Sequence, residues 1–310
     1  MTLSIKTIRN IFISFLRGSE EAHACGRRQI LYIYNEIKLR KMSVSFEEMI
    51  EMYQDFLSGL THLRQDVLKG YYRDVTSSMK EEFENTIFMK KLNENLIAYN
   101  EEYIAKKNFE LFETLDNIYM EIKPYNSMIE KCFRKDILEK KSWPILIEGN
   151  YDDLIPYAEH TPLNCFEKFS DIIRTRITTK YMDGSLIILN KLKELTIDCG
   201  LKFQEPDYKT QFDGYYAIHL NLIYNFEIPE LKRSSIQKDC KIEFQINTSV
   251  QNLLVELTHE YYKISRKKLE EPNIKWQWMS DCNEFIPYYL GHLTHYLEGM
   301  MVNIREKITL

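Results

Sequence analysis

The positions of proline and glycine divide this chain of 310 residues into two parts. No proline precedes Pro124, and no glycine lies between Gly70 and Gly149. Because both residues interrupt helices, the first part can form long ones. Apolar residues recur there at the spacing of one helix face, for example at Phe83, Ile87, Leu92, Leu96, Tyr99 and Tyr103. We therefore expect an all-helical region to about residue 140, with residues 80–122 forming one very long helix or two that break near residues 106–108.

After Pro144 the pattern changes to short strands separated by turn residues. Runs rich in Ile, Thr and Tyr predict strands at residues 171–181, 201–204, 215–224 and 240–248. Helical spacing predicts helices at residues 185–199, from residue 249, and at 284–307. Residues 229–238 are expected to form a polar connection. The resulting fold class is α+β, with a mixed sheet between helical flanks.

Composition excludes several classes of protein. The net charge of −5 argues against a broad nucleic-acid surface, which is normally basic. Six scattered cysteines without a Cys-x-x-Cys pair indicate the reducing cytoplasm rather than a disulfide framework or a zinc site. Charged residues interrupt the apolar rhythm of residues 1–18, so neither a signal peptide nor a membrane span is expected. That segment is interpreted as a helix packed on its own protein, with an interfacial helix as the alternative.

Three polar islands between Asp171 and Lys263 contain side chains that a core does not need. In the third island Glu243 and Gln245 share one face of a strand, because side chains alternate along it. A solvated sheet face is the simplest explanation of this pattern alone. Phosphoryl transfer is the alternative, since it requires carboxylates for Mg²⁺ and cations for phosphates. Asp171 and Glu243 would suit Mg²⁺ if their strands lie side by side.

The islands, taken in order, resemble the RelA/SpoT synthetase domain, whose members transfer pyrophosphate from ATP to a nucleotide hydroxyl. The resemblance covers about residues 150–265. It implies a mixed five-stranded nucleotidyltransferase-like sheet with helices. We expect a helical region at 1–140, a synthetase domain at 141–268 and a helical extension at 269–310.

The first island reads Asp171-Ile-Ile-Arg-Thr-Arg176-Ile, where the family has Asp, two apolar residues, Gly, any residue, Arg and Ile. The resemblance implies that Asp171 binds Mg²⁺ and that Arg176 stacks on adenine. Arg174 occupies the usual glycine position and is a candidate phosphate-binding residue.

The second island reads Asp213-Gly214-Tyr215-Tyr-Ala-Ile-His219, where the family has Asn-Gly-Tyr-Arg-Ser-apolar-His. The resemblance implies that Tyr215 stacks on the acceptor base and that His219 contacts its phosphate or sugar. Lys209 stands in for a lysine that the family places upstream.

The third island reads Glu243-Phe-Gln245-Ile-Asn247-Thr, where the family has Glu-apolar-Gln-apolar-Arg-Thr. The resemblance implies that Glu243 binds metal and helps to activate the hydroxyl, with Gln245 beside it at the nucleotide. In the following helix His259 and Lys263 match nucleotide-binding positions of the family.

The family also has an upstream pattern of Arg-x-Lys, then Ser, then Lys, whose cations hold the ATP triphosphate. Aligned on residues 158–168, this chain has Ala158 and His160 at the first two cationic positions and keeps only Lys168. Losing two such contacts would weaken ATP binding, because each charge-assisted contact is worth about 1.5–3 kcal/mol.

The sequence is therefore consistent with two functions. The first is an Mg²⁺-dependent pyrophosphokinase acting on ATP and a guanosine or adenosine nucleotide, which would make an alarmone, or on a tRNA 3′ end, as toxic members of the family do. The second is a degenerate synthetase fold that serves as a nucleotide sensor or interaction module. The helical flanks could bind a second copy or a partner protein.

Two further patterns concern histidine. Because the chain contains no His-Asp dipeptide, alarmone hydrolysis is not expected. The pair His292 and His295 is interpreted as packing, with a metal site as the alternative.

Overall fold

A six-stranded mixed sheet lies at the centre of the part of the chain that the structure describes. The structure is a computed structural model, and it describes residues 44–210, 213–230, 234–266 and 275–308, the side chains of 259–266 excepted. One unit comprises Met1–Met49, of which only the start of a helix is described, and a compact second unit comprises Ile50–Leu310. The expected helix at residues 1–18 lies outside the described residues.

Three of the described helices precede the first strand, further helices lie between the first and third strands, and two long helices follow the last strand. The helices are α1 (Phe46–Thr61), α2 (Gln65–Glu84), α3 (Ile87–Lys107), α4 (Tyr125–Phe133), α5 (Trp143–Glu148), α6 (Tyr151–Leu154), α7 (Cys165–Lys168), α8 (Met182–Asp198), α9 (Ser249–Arg266) and α10 (Phe285–Ile308). The strands are β1 (Glu121–Ile122), β2 (Ile173–Thr179), β3 (Lys202–Phe203), β4 (Asp207–Thr210), β5 (Tyr216–Pro229) and β6 (Ser235–Thr248). A π-helical turn, Arg134–Leu138, follows α4.

The sheet has the order β1-β2-β6-β5-β3, and β4 also pairs with β5. Strands β2 and β6 are parallel, whereas the other pairs are antiparallel. The α+β fold with a mixed sheet and helical flanks is confirmed. The described sheet has six strands rather than five, because the two-residue strand β1 comes from the region expected to be all-helical.

Capping residues lie at the boundaries of α2 and α3. Thr86 separates α2 from α3, and its hydroxyl accepts a hydrogen bond of 3.3 Å from the Met89 amide. Asn108 ends α3 with a left-handed φ of 59°. The expectation of a helix running through residues 80–122 was therefore wrong, although α3 does end at the predicted break near 106–108.

The two faces of the sheet differ in polarity. On β6, Ile242, Phe244 and Ile246 are fully buried, and Phe244 contacts the rings of Phe83 and Phe88 from α2 and α3. The intervening residues, which include Glu243 and Gln245, point to the opposite face.

The hairpin between β5 and β6 is longer than expected, since β5 continues to Pro229 and β6 starts at Ser235. The polar connection predicted at 229–238 was therefore wrong in part, because Pro229 and residues 235–238 pair across the hairpin.

An ion pair between buried Arg305 and partly buried Asp183 attaches α10 to the rest of the fold. Arg305 of α10 donates to Asp183 of α8 at 2.5 Å and to the Tyr103 hydroxyl of α3 at 2.7 Å. Its guanidinium also lies 4.6 Å from the centre of the Tyr181 ring. Among the described residues, no helix is long and apolar enough to cross a membrane.

Candidate active site

A row of polar side chains crosses the face of the sheet opposite Phe244. In the register of β2, β6 and β5, Arg176 pairs with Gln245 and Gln245 with His219. Two residues away along each strand, Arg174 pairs with Glu243 and Glu243 pairs with Asn221. Partners in register lie on one face, so six polar side chains from three strands converge there.

Glu243 is the buried acid of this row, with 6% of its surface exposed. Its Oε2 accepts a hydrogen bond of 3.2 Å from the Ser170 hydroxyl and lies 3.3 Å from His219 Nδ1. Its Oε1 accepts a hydrogen bond of 2.6 Å from Gln245 Nε2. Burial raises the pKa of Glu243, as does the charge of Asp171, but His219 and Gln245 outweigh them and lower it. Glu243 is therefore a carboxylate at neutral pH.

His219 connects Glu243 to Tyr215. Its Nδ1 lies 3.3 Å from Glu243 Oε2, and its Nε2 lies 3.1 Å from the Tyr215 hydroxyl oxygen, so one ring contacts both residues. Burial raises the pKa of Tyr215 to about 12, so the hydroxyl keeps its proton. The charges of Arg176, Glu243 and Arg174 also act on this pKa, which places all three near the ring.

Asp171 lies beside this row and is held by two lysines. Lys123 Nζ donates to Oδ2 at 2.9 Å, and Lys131 Nζ donates to Oδ1 at 2.7 Å. Burial raises the pKa of Asp171, but the two ammonium groups outweigh it and bring the pKa to about 2. Burial lowers the pKa of Lys123, and Asp171 opposes this shift. The group of two cations and one anion carries an excess positive charge.

The short strand β1 and helix α4 bring these lysines to Asp171. Ile122 pairs with Ile173, and the Lys123 amide donates to the Ile172 carbonyl at 2.9 Å. The Tyr72 hydroxyl donates to the Lys123 carbonyl at 2.6 Å. Lys131 lies on α4, with its ammonium 4.7 Å from the centre of the Phe169 ring.

Sequence reasoning missed both lysines. Glu121, Lys123, Ser127 and Lys131 follow the Arg-x-Lys, Ser, Lys order expected for the triphosphate-binding pattern, with Glu121 in the place of the arginine. The signal was available: alignment on residues 158–168 left almost no spacer before Asp171, whereas Lys131 precedes it by 40 residues.

The residues first aligned with that pattern have other partners. His160 Nδ1 lies 2.7 Å from the fully buried Asp136, and its ring stacks on Phe169 at 5.0 Å. Lys168 directs its ammonium to the Glu159 carbonyl oxygen. The structure therefore places Lys168 in a surface contact rather than at Asp171.

The remaining predicted residues are arranged around the row. Exposed Arg176 donates to Asn252 at 2.5 Å, and Arg174 lies 4.0 Å from Glu121. Lys209 of β4 forms an ion pair with Asp207, which is opposite His219 in register. The side chains of His259 and Lys263 lie outside the described residues.

Asp171 and Glu243 have the donor chemistry that Mg²⁺ prefers. They are adjacent, since Ser170 binds Glu243 and the charge of Asp171 acts on the pKa of Glu243. All four carboxylate oxygens accept hydrogen bonds, so a cation would replace some of these donors. Within the described ranges, no three His, Cys, Asp or Glu residues form a metal-binding group. His292 and His295 instead pack against aromatic rings.

Solved structures with similar folds are small alarmone synthetases and related proteins. Small alarmone synthetase 1 of Bacillus subtilis, bound to its product pppGpp, matches with a TM-score of 0.44 and 16% identity, over 71% of this chain and 92% of that one. Small alarmone synthetase 2 of the same organism gives 0.42 and 18%, over 70% and 93%. A GTP pyrophosphokinase family protein of Streptococcus pneumoniae gives 0.44 and 17%, over 74% and 93%.

No protein-family model and no curated protein matches the sequence. At these identities and TM-scores, the activity of this chain has to be inferred from its own residues.

Proposed function

We propose that this chain is a nucleotide pyrophosphokinase of the RelA/SpoT type. The observation that carries the proposal is the convergence of two different groups at the polar face of the sheet. Asp171 with Lys123 and Lys131 forms a cationic group suited to a triphosphate. Glu243, His219 and Tyr215 form a hydrogen-bonded chain beside it, suited to a hydroxyl-bearing nucleotide.

The cationic group would bind the donor. Lys123 and Lys131 would exchange part of their contact with Asp171 for the phosphate oxygens of ATP, where ammonium groups act as point charges. Arg176 and Arg174 lie on the same face, with planar guanidinium groups that can stack on a base or bind a phosphate. Asp171 and Glu243 would hold Mg²⁺, which supplies charge neutralisation at the phosphate oxygens.

The second group would bind the acceptor. The ring of Tyr215 offers a stacking surface for a base, and His219 offers a polar contact to sugar or phosphate. Glu243 is ionised and lies next to both, so it can accept a hydrogen bond from the acceptor hydroxyl and orient it.

In the proposed transfer, one bond to phosphorus forms and one breaks. The hydroxyl oxygen of the acceptor forms a bond to the β-phosphorus of ATP. The bond from that phosphorus to the oxygen it shares with the α-phosphate breaks, and AMP leaves. The hydroxyl proton passes to Glu243. Positioning and charge neutralisation account for most of the catalysis in such reactions.

A panel of acceptors tests this function. The protein is incubated with ATP labelled in its β- and γ-phosphates, Mg²⁺, and GDP, GTP, AMP or tRNA in separate reactions. Label should appear in at least one acceptor. If no acceptor is labelled, the proposed activity is wrong. The basic cluster Arg27, Arg28, Lys38, Arg40 and Lys41, which motivates the tRNA arm, lies outside the described residues.

A second candidate is a nucleotide-binding module without catalysis. Glu121 favours it, because this acid stands where the expected pattern has an arginine and would repel a triphosphate. Calorimetric binding of ATP without transfer to any acceptor would support this candidate over the first.

A further inference from the structure

The turn that carries Tyr215 is packed directly against the C-terminal helix α10. Gly214 has φ +78°, and a β-carbon there would lie 2.5 Å from the Tyr288 carbonyl oxygen and 3.0 Å from Gly291 Cα. A β-carbon at Gly291 would in turn overlap the carbonyl group of Gly214. The two backbones therefore touch at a pair of glycines, and no larger residue fits at either position.

Tyr216, which follows Tyr215 in the chain, is held by two histidines of α10. Its ring stacks on His295 with a centre-to-centre distance of 3.7 Å and an angle of 4° between planes. Its hydroxyl lies 2.8 Å from His292 Nδ1, and Trp276 stacks on the His292 ring. Burial lowers the pKa of His295, so this stack involves a neutral ring at neutral pH.

The alternation of side chains connects these contacts to the polar face of the sheet. Tyr215 and Tyr216 are adjacent, so they point to opposite faces. Tyr216 points to α10, whereas Tyr215 points to His219. The Asp213 side chain also accepts a hydrogen bond of 3.1 Å from the Tyr215 amide. Holding Tyr216 and Gly214 in place therefore fixes the direction of the Tyr215 ring.

We infer that α10 positions the acceptor-binding turn, through Gly291, His292 and His295, so that the Tyr215 ring is preorganised for stacking on the acceptor base. The inference rests on the proposed function, since it takes Tyr215 as the acceptor platform. None of the three residues on α10 belongs to the polar row, so they are positioning residues. The donor side, with Lys123, Lys131 and Asp171, has no part in these contacts.

This division predicts a selective effect on the acceptor. Substituting His295→Ala removes the stack beneath Tyr216 and leaves the glycine contact intact. Because stacking on His295 helps to hold Tyr216 in place, loss of the His295 ring should weaken acceptor binding roughly three- to tenfold. His295→Phe keeps a stacking ring and should restore binding. Gly291→Ala should have a larger effect, because it displaces the turn itself.

Leu293→Ala is the matched control, since Leu293 lies on the same helix between the two histidines and is 41% exposed. Calorimetry gives Kd for GDP, GTP and AMP separately from Kd for a non-hydrolysable ATP analogue. We expect His295→Ala to raise Kd or KM for the acceptor alone, with ATP binding and Tm close to wild type. Leu293→Ala should change the Kd of neither the acceptors nor the ATP analogue.

The outcomes separate this inference from the proposed function. An unchanged acceptor Kd in His295→Ala, or an equal loss for acceptor and ATP analogue, overturns the inference whatever the transfer assay shows. Absence of transfer by wild-type protein, with acceptor binding that still depends on His295, overturns the proposed function alone. If wild-type protein binds none of GDP, GTP, AMP and tRNA, both are overturned.

Discussion

Lys131 donates a hydrogen bond of 2.7 Å to Oδ1 of Asp171, although 40 residues separate the two in the chain. Lys123 takes the other carboxylate oxygen at 2.9 Å. A single aspartate thus gathers two cations from the helical region onto the edge of the sheet. The division of the chain near residue 140 stays a prediction, and these contacts cross it.

The first prediction concerns the triphosphate contact. Lys131→Ala should weaken binding of a non-hydrolysable ATP analogue roughly tenfold to a hundredfold, because a charge-assisted hydrogen bond is worth about 1.5–3 kcal/mol. Calorimetry in the presence of Mg²⁺ measures the change. Lys135→Ala is the control, since Lys135 pairs with Glu139 on the surface. Equal Kd values for Lys131→Ala and wild type would contradict the assignment of this lysine to ATP.

The second prediction concerns stability at acidic pH. The pKa of Asp171 is about 2 in the folded protein, below its ordinary value of 3.8. A depressed carboxyl pKa stabilises the folded state above pH 3.8, and this stabilisation is lost as pH falls towards 2. The advantage of wild type over Asp171→Asn in free energy of unfolding should therefore shrink by roughly 2 kcal/mol across that window.

Urea unfolding at a series of pH values from 5 to 2.5 measures this advantage. Asp66→Asn is the control, because Asp66 forms an exposed pair with Arg64 that contributes little. An advantage of wild type over Asp171→Asn that stays constant with pH would show that Lys123 and Lys131 do not hold this carboxylate in solution.

The third prediction concerns the catalytic acid-base group. Glu243→Gln keeps the shape of the side chain but removes the charge that orients the acceptor hydroxyl. Transfer should fall by about 10²–10⁴ in kcat, the usual contribution of a positioned acid-base group. Asp239→Asn, an exposed change on the same strand β6, should retain activity. Near-wild-type kcat in Glu243→Gln would rule out this role for Glu243.

The fourth prediction concerns the attachment of α10. Asp183→Asn removes the carboxylate charge that faces the Arg305 guanidinium, whose side chain is 5% exposed. Breaking a fully buried pair costs about 3–5 kcal/mol, and this pair, whose Asp183 side chain is 20% exposed, should lose about 2–3 kcal/mol. Urea unfolding should show that loss, and the double substitution Asp183→Asn with Arg305→Met should recover part of it. A loss below about 1 kcal/mol in the single variant would show that the pair is not held as described.

Sequence patterns predicted the polar face of the sheet because alternation is a local property. Glu243 and Gln245 share a face, and Ile242, Phe244 and Ile246 lie on the other, as the period of two requires. The Asp213-Gly214 turn and the start of α9 at Ser249 followed equally local signals. These features depend on neighbouring residues alone.

The partners of Asp171 could not be found in the same way. Lys123 reaches it through a strand of two residues, which is too short to produce a periodic pattern. The tyrosine–histidine stack likewise joins Tyr216 to a helix that begins about 70 residues later. Both contacts depend on long-range pairing, and only the fold brings their members together.

The most direct test of the account is the stoichiometry of AMP release. Wild-type protein is incubated with labelled ATP, Mg²⁺ and the acceptor from the panel that receives most label, and AMP and labelled acceptor are quantified together. The account predicts one AMP for each labelled acceptor, and formation of both products slowed together by about 10²–10⁴ with Glu243→Gln. Formation of ADP in place of AMP, or no AMP with any acceptor, would contradict it.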